Sequence, residues 1–280
     1  MNLFIFKNLQ NTRANAYTHW LLCFNSIKAQ IFVFCPKLNH MKLKITYLLL
    51  SIGFLWSCKQ TTEHNTLSAI EKKEGWQLLF NGKDINNWHI YNQGNQPSKW
   101  VVKDDAILCD PTVKTGVFGD LVSNETFQDF DLKFDWKVAK GGNSGVFIDV
   151  QEDPKYDATF VTGLEMQLLD NANAEPRHQT DSTHWAGSLY AIKGIGSNSK
   201  PNPYNEWNQS RIVQNKGKVS FWLNGKLTFE NETNTQKWKD LVAGTNMKNY
   251  PDFGKFQKGK IALQNHTDEV SFRNIKIKLL

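Results

Sequence analysis

Cysteine is scarce in this chain, with four residues in 280, and three of them fall where they can do little for a fold. Cys23 and Cys35 lie upstream of a leader-like stretch, and Cys58 closes that stretch. Only Cys109 remains in the body of the sequence, so no intramolecular disulfide and no cysteine metal site is available there. Stability has to come from a hydrophobic core, and roughly 200 residues are enough to bury one. A true basic excess is missing as well. The formal net charge of +6 comes from Lys7, Arg13, Lys28, Lys37, Lys42 and Lys44, which precede Cys58 with no acidic residue among them. From Cys58 onward 27 basic residues meet 27 acidic ones, which removes the electrostatic argument for a nucleic-acid partner. The chain shows no Gly-rich phosphate loop opening a helix, no dinucleotide fingerprint, no Gly-x-Ser-x-Gly elbow and no repeat period.

What is present begins with a leader. Met41-Lys-Leu-Lys44 is a short basic start, and Ile45 to Trp56 is an apolar run of signal-peptide length, too short to span a bilayer comfortably. Leu55-Trp56-Ser57-Cys58 resembles the end of a bacterial lipoprotein signal, with Cys58 the residue that takes the lipid. Residues 41–58 are therefore expected to be removed or anchored, in a cell-envelope lipoprotein on the periplasmic face or the outer membrane. A plain secretory signal is the alternative. Residues 1–40 fit no targeting pattern and are read as an upstream extension, from a start codon chosen in error or from a real segment that hides the signal. Residues 59–74 are polar without hydrophobic periodicity and read as a flexible tether. The folded domain is expected over residues 75–280.

Within that domain the patterns are those of short strands. Phe130, Leu132, Phe134, Trp136 and Val138 alternate with Asp131, Lys133, Asp135 and Lys137, which leaves little room for a helix. Trp100–Val102 and Ala106–Leu108 flank Lys103-Asp104-Asp105 as a hairpin, and Asn224-Gly225 joins Lys218–Leu223 to Lys226–Phe229 as another. Further strands are expected at Leu78–Phe80, Val146–Val150, Ser188–Ile192, Trp207–Gln214, Ile261–Asn265 and Val270–Leu280. The apolar parity of the last flips between Phe272 and Ile275, which predicts a bulge near Arg273-Asn274. Thr235–Leu241 reads as one short helix. Many short strands with frequent turn signals argue for an all-β, two-sheet antiparallel sandwich.

The most informative stretch is Gly163-Leu-Glu-Met-Gln-Leu-Leu-Asp170. As a strand it turns Leu164, Met166 and Leu168 one way, and Glu165, Gln167 and Leu169 the other. Residues two apart on one strand face sit roughly 7 Å from each other, so a carboxylate and an amide can address one small ligand. The alternative is a half-buried strand with its polar side in water.

Several stretches then agree in order. Leu79-Phe-Asn-Gly-Lys-Asp-Ile-Asn-Asn-Trp88, Gly142-Asn-Ser-Gly-Val-Phe147, Glu165-Met-Gln-Leu-Leu-Asp170, Gly187-Ser-Leu-Tyr190, Glu206-Trp-Asn208 with Arg211-Ile212, Leu223-Asn-Gly225, Ile261-Ala-Leu-Gln-Asn-His266 and Phe272-Arg-Asn-Ile-Lys-Ile277 resemble the 3-keto-disaccharide hydrolase domain family over about residues 75–280. The resemblance implies a jelly roll of the concanavalin A-like lectin and glucanase type, acting on glycosides already oxidised at C3 of the sugar. Glucanases of that fold carry their acids on one strand as Glu-x-Asp-x-x-Glu. Here Glu165-x-Gln167-x-x-Asp170 has an amide in the middle, which disfavours ordinary retaining hydrolysis by a close carboxylate pair. A ketone at C3 acidifies the C2 proton, so one base, a stabiliser for the enolate oxygen and a proton donor for the leaving group suffice.

Glu165 is the first candidate for the base, with a sugar-hydroxyl or metal ligand as its other reading. His266, inside a family stretch, and His184, at a loop-to-strand junction, are the other catalytic candidates, each with a structural role as the alternative. Gln167, Gln264 and Asn143 are candidate substrate contacts, although Asn143 and Ser144 also read as turn-formers. Trp185, Trp207 and Trp222 fit the core periodicity less well than Trp136 and are candidate stacking platforms. Arg273 and Lys193 are candidates to steady an enolate. Asp149 and Asp170 are weak candidates to hold a divalent cation such as Ca²⁺ through oxygen ligands; no other cofactor is expected. The expected partners are an oxidised glycoside or disaccharide and a separate sugar 3-oxidoreductase that supplies it. A non-catalytic carbohydrate-binding module on the same fold and a structural surface protein are the readings from other classes.

Overall fold

Alternation along the sequence becomes alternation across two sheets. The computed structural model describes residues 63–280, so the expected upstream extension, the signal and the lipidated Cys58 lie outside the described residues. In chain order the elements are α1 (Ala69–Lys73), β1 (Gln77–Leu78), β2 (Trp88–Ile90), β3 (Trp100–Lys103), β4 (Ala106–Cys109), β5 (Leu121–Ser123), β6 (Phe130–Val138), β7 (Asn143–Val150), β8 (Leu164–Leu169), α2 (Pro176–Gln179), β9 (Asn208–Asn215), β10 (Lys218–Leu223), β11 (Lys226–Glu232), α3 (Gln236–Ala243), β12 (Lys260–Leu263) and β13 (Val270–Leu279). The larger sheet runs β11-β10-β9-β6-β13-β4-β3, with β1 also on β13, and the smaller runs β2-β5-β12-β7-β8. Every ladder between these strands is antiparallel. The result is the expected all-β jelly-roll sandwich.

The core fills the space between the sheets. Phe130, Leu132, Phe134, Trp136 and Val138 of β6 face Leu164, Met166 and Leu168 of β8 and Val146 and Ile148 of β7 in one apolar cluster. Each such side chain contributes roughly 1.5–3 kcal/mol through burial. The Trp136 indole N–H donates to Ser210 Oγ at 2.9 Å, so the largest side chain of β6 is buried with its polar atom satisfied. The predicted bulge is present: the β13–β6 register shifts between Arg273 and Lys276, and Asn274 has φ 52°. That irregularity lets one edge of β13 pair with β4 through Val270–Phe272 and then with β1 through Lys276–Ile277.

Two expectations change. Ser188–Ile192 is not a strand. It turns along the free edge of β8, with Gln167 N–H donating to Ser188 C=O (3.1 Å) and Gly187 N–H to Gln167 C=O (2.8 Å), which covers an edge that would otherwise be open. The expected flexible tether also gives way from residue 63. Asn65 is buried and exchanges two hydrogen bonds with Asn274, Asn65 N–H to Asn274 Oδ1 at 2.6 Å and Asn274 N–H to Asn65 Oδ1 at 2.8 Å. Ser68 and Glu71 form a reciprocal cap on α1, and Lys276 pairs with Glu71 at 2.9 Å. Periodicity could not reveal this, because the segment docks through polar groups.

At the end of β7 a carboxyl crosses the sandwich. Asp149 has φ 59° and is buried, and a Cβ on Gly259 would lie 2.3 Å from the Asp149 carbonyl carbon. Gln214 Nε2 of the opposite sheet donates to Asp149 Oδ1 at 2.9 Å, while Asp149 Oδ2 and Gln214 Oε1 have no partner. Burial pushes the Asp149 carboxyl up to about 7, opposed by the Gln214 bond and assisted by Asp129. The folded state therefore holds a proton that the unfolded chain has lost above its ordinary value, so this group makes the fold less stable as pH rises from about 4 to about 7. D149N keeps the shape, tolerates the positive φ and can donate to Gln214 Oε1. It should raise stability at pH 8 by on the order of 1–3 kcal/mol and leave it little changed at pH 4, as read by denaturant unfolding at the two pH values. An equal effect at both would refute the assignment.

Candidate active site

The outer face of the smaller sheet carries a cleft. Strand pairing sets Phe147 beside Glu165 and Gly145 beside Gln167 on one face, and carries that face on to Ala262 and Val122. At one end this face is apolar, with Tyr91, Val122, Phe147, Val150 and Ala262 packed into a second buried cluster. At the other end it is polar and opens into a cleft of about 290 Å³. Asn143, Glu165 and Gln167 form the floor, and Gln264 and His266 enter just beyond β12. The loop between β7 and β8 brings Phe160, the loop after β8 brings Arg177 and Tyr190, and the segment after α3 brings Met247 and Tyr250. A wider and more open hollow of about 710 Å³ lies between the N-terminal segment and β13, around Ser68, Glu71 and Lys276. None of the candidate catalytic groups reaches it.

Glu165 is held by close backbone approach. A Cβ at Gly145 would stand 2.1 Å from Glu165 Oε1 and 2.8 Å from its Cγ and Cδ, so the carboxylate lies directly on the glycine of the neighbouring strand. Glu165 is buried and its Oε1 has no hydrogen-bond partner. Burial first, and the charge of Asp120 second, hold its carboxyl well above the usual range, with Gln264 acting the other way. Gln264 Oε1 is likewise buried without a partner. Two unsatisfied acceptors at one cleft wall suit a ligand rich in hydroxyl groups. Gln167 is fixed differently, its Nε2 donating to Asn143 Oδ1 at 2.7 Å. Asn143 N–H in turn donates to Asp268 Oδ2 at 3.0 Å, the carboxylate that lies 3.9 Å from His266 Nδ1.

Of the residues expected from sequence, Glu165, Gln167, Asn143, Gln264 and His266 converge on this cleft. His184 stands one layer back. Its ring stacks on Tyr190, centroids 4.7 Å apart, and its Nε2 lies 3.7 Å from Asp181 Oδ2. Trp185 is not a platform; its indole N–H donates to His178 C=O at 2.9 Å and pins the loop that carries Arg177. Trp222 and Arg273 belong to the larger sheet, and Trp207 immediately precedes its strand β9. The Arg273 guanidinium lies 3.9 Å from the Trp207 ring centre and bonds Asp135, and Arg211 covers Trp222 at 4.9 Å. Alternation turns these side chains to the solvent face of that sheet, where cations rather than sugars meet the rings. Lys193 is exposed and away from the cleft lining. Neither Asp149 nor Asp170 offers a cage for Ca²⁺. Asp149 faces Gln214, and Asp170 accepts from Gly141 N–H and Asn173 Nδ2. Among the described residues no group of three or more His, Cys, Asp and Glu gathers as a metal site.

Sequence reasoning missed Arg177, Tyr190 and the aromatic wall. Tyr190 stood inside a recognised stretch, Gly187–Tyr190, and its N–H donates to Glu165 C=O at 3.1 Å, so the strand-edge turn delivers its ring beside the buried carboxylate. Burial and the Glu165 charge hold its phenol above the ordinary value. Arg177 was hidden in a polar loop. It follows Pro176 on the short α2, and its neighbour His178 is buried, with burial foremost pushing that imidazole down to about 4 and so leaving it neutral. Phe160 and Tyr250 meet edge to face, centroids 5.2 Å apart, as one apolar side of the cleft. The Gly145 contact yields a test. G145A should fold with a melting temperature near that of the wild type but displace the Glu165 carboxylate, lowering turnover by roughly 10²-fold or more, as misplacement of a reacting group does. Unchanged turnover with a folded variant would show that the position of Glu165 does not matter.

Comparison with known proteins identifies the family. A model of the 3-keto-alpha-glucoside-1,2-lyase-like domain matches residues 75–278. A 3-keto-disaccharide hydrolase of Bacteroides thetaiotaomicron is 31% identical over 245 residues, which cover 79% of this chain and 84% of that protein. A crystal structure of a candidate glycosyl hydrolase from Parabacteroides distasonis superposes with a TM-score of 0.70 at 35% identity, covering 78% of this chain and all of that one. A second such structure from the same organism, 23% identical with a TM-score of 0.56 over 73% of this chain and 99% of its own, shares the fold. The chain belongs to the 3-keto-alpha-glucoside-1,2-lyase-like domain family and is a carbohydrate hydrolase of the glycosidase type.

Proposed function

We propose that the enzyme acts on glycosides or disaccharides already oxidised to the ketone at C3, and that it begins by removing the proton on C2. The observation that carries this reading is the lone carboxylate: among the residues lining the cleft, Glu165 is the only acid. Ordinary glycosidases need two carboxyl groups flanking the bond, about 5–5.5 Å apart when retaining. Removal of a C2 proton made acidic by a neighbouring ketone needs one base. Glu165 takes that proton, and the C2–H electrons form the enolate with charge on the C3 oxygen. Arg177 is the guanidinium available to that oxygen. Return of those electrons restores the ketone, makes the C1–C2 double bond and expels the group on C1, whose oxygen takes a proton from a cleft donor such as Tyr190 or His266. Water added across C1–C2 completes a net hydrolysis.

The raised proton affinity of Glu165 suits a base asked to accept a carbon-bound proton. It also sets the pH dependence. The base works only when ionised, so kcat/KM should be low in mild acid and rise with pH through the elevated titration of Glu165. A 3-keto-glucoside with a chromogenic leaving group should be cleaved and the unoxidised glucoside should not, with deuterium at C2 slowing the reaction if proton removal is rate-limiting. E165Q keeps the shape and should lower kcat by at least roughly 10²–10⁴, with binding little affected. Binding of the keto compound without turnover under any condition, added metal included, would replace the enzyme reading with a lectin-like one.

The substrate would come from a separate sugar 3-oxidoreductase, since the chain has no dinucleotide fingerprint. The leader supports a cell-envelope lipoprotein joined to lipid through Cys58. Expressed from Met41, the protein should take up labelled fatty acid and C58A should not; labelling that persists in C58A would reject the anchor.

A further inference from the structure

Asp120 is outside the cleft lining, yet its side chain bonds segments on both sides of the cleft. One carboxylate oxygen accepts from Asn265 N–H at 2.8 Å, and the other accepts from Thr159 Oγ. Thr159 is followed by Phe160 of the cleft wall, and Asn265 stands between Gln264 and His266, both of the cleft. Two loops far apart in sequence are thus tied by one side chain on the short link between Val117 and β5. Burial raises the Asp120 carboxyl as it does that of Glu165, and the two donors oppose that rise at Asp120. Asp120 has hydrogen bonds on both oxygens, whereas Glu165 has an oxygen with none.

We propose that Asp120 is a positioning residue for the reaction, one that locks the Phe160 and Gln264–His266 walls in register and holds a negative charge near Glu165. The proposal rests on Glu165 acting as the base. The groups that face Asp120 are Glu165, His266, Tyr91 and Cys109, and those around Glu165 are Asp120, Tyr190 and the cleft residues Arg177 and His266. Of these only Asp120 brings a negative charge to Glu165. The charge makes Glu165 a stronger base and delays its ionisation, adding to what burial already does to its carboxyl.

D120N separates charge from shape, because the amide oxygen still accepts from Asn265 N–H and the amide nitrogen faces a hydroxyl that can accept. Carbon-13 NMR of the Glu165 carboxyl in ligand-free protein reads the coupling without substrate. In D120N that titration should move to lower pH by on the order of one unit, and the acid limb of kcat/KM against pH on the 3-keto-glucoside should move with it. Plateau kcat should fall, since the base is weaker. D120A loses the tie as well and should raise KM in addition. T159V removes one donor from Asp120, weakens its hold on charge, and should shift Glu165 in the same direction by less, which keeps the test available if D120N fails to fold. A Glu165 titration that stays at the wild-type pH in the folded variants overturns the proposal. Because that titration needs no substrate, it tests Asp120 separately from the chemistry. Failure of the wild type to cleave the keto sugar counts against the proposed reaction alone.

Discussion

The site depends on one close approach, the Glu165 carboxylate lying on the bare backbone of Gly145. Any larger residue there would take the space that the acid occupies. The approach is possible because β7 and β8 are neighbours in register, and it matters because the sheet beneath is buried on both faces. Leu164, Met166 and Leu168 seal the inner face, and Tyr91, Val122, Phe147, Val150 and Ala262 seal much of the outer one. A carboxylate between these layers has little water to favour its charge, and its proton affinity follows from that placement. The raised proton affinity of Glu165 is therefore a property of sheet packing before it is a property of any loop.

The two sheets answer the same demand in opposite ways. The larger sheet leaves its outer face in water and covers its tryptophans with charge, as Arg273 covers Trp207 and Lys133 covers Trp76 at 4.2 Å. Bidentate Arg211–Asp131 contacts at 2.7 Å complete that face. The smaller sheet instead wraps its outer face in long connections, and those connections carry Phe160, Arg177, Tyr190 and Tyr250. Function gathers where the chain needed extra covering.

Much of the architecture was legible because strands with one face in a core write their parity into the sequence. Phe130–Val138 and Leu164–Leu169 are in that class, and so is the parity flip that announced the β13 bulge. The turns at Asp104-Asp105 and Asn224-Gly225 were legible because positive φ restricts residue choice, and the structure has φ 51°, 57° and 48° at Asp104, Asp105 and Asn224. Trp88–Ile90 and Leu121–Ser123 were too short to show a period. In the site, Glu165, Gln167, Asn143, Gln264 and His266 were found through strand faces and family stretches. Arg177, Tyr190 and Asp120 were not, since each takes its place through tertiary contact from an irregular segment whose local pattern does not show where its side chain goes. The tryptophans misled for a related reason: a ring on a sheet face has the same sequence pattern whether a sugar or an arginine lies over it.

The docking of Asn65 on Asn274 has a mechanical side. The chain enters the fold at the bulge of β13, a strand bonded to β6 on one edge and to β4 and β1 on the other. A pull applied upstream of residue 63 is thus delivered to the middle of the larger sheet, where neighbouring strands must slide past one another together. It is not delivered to a margin, where they would peel one bond at a time. The sheet that bears such a load is also the one that holds no part of the cleft, so tension along the N-terminal segment would be dissipated away from Glu165.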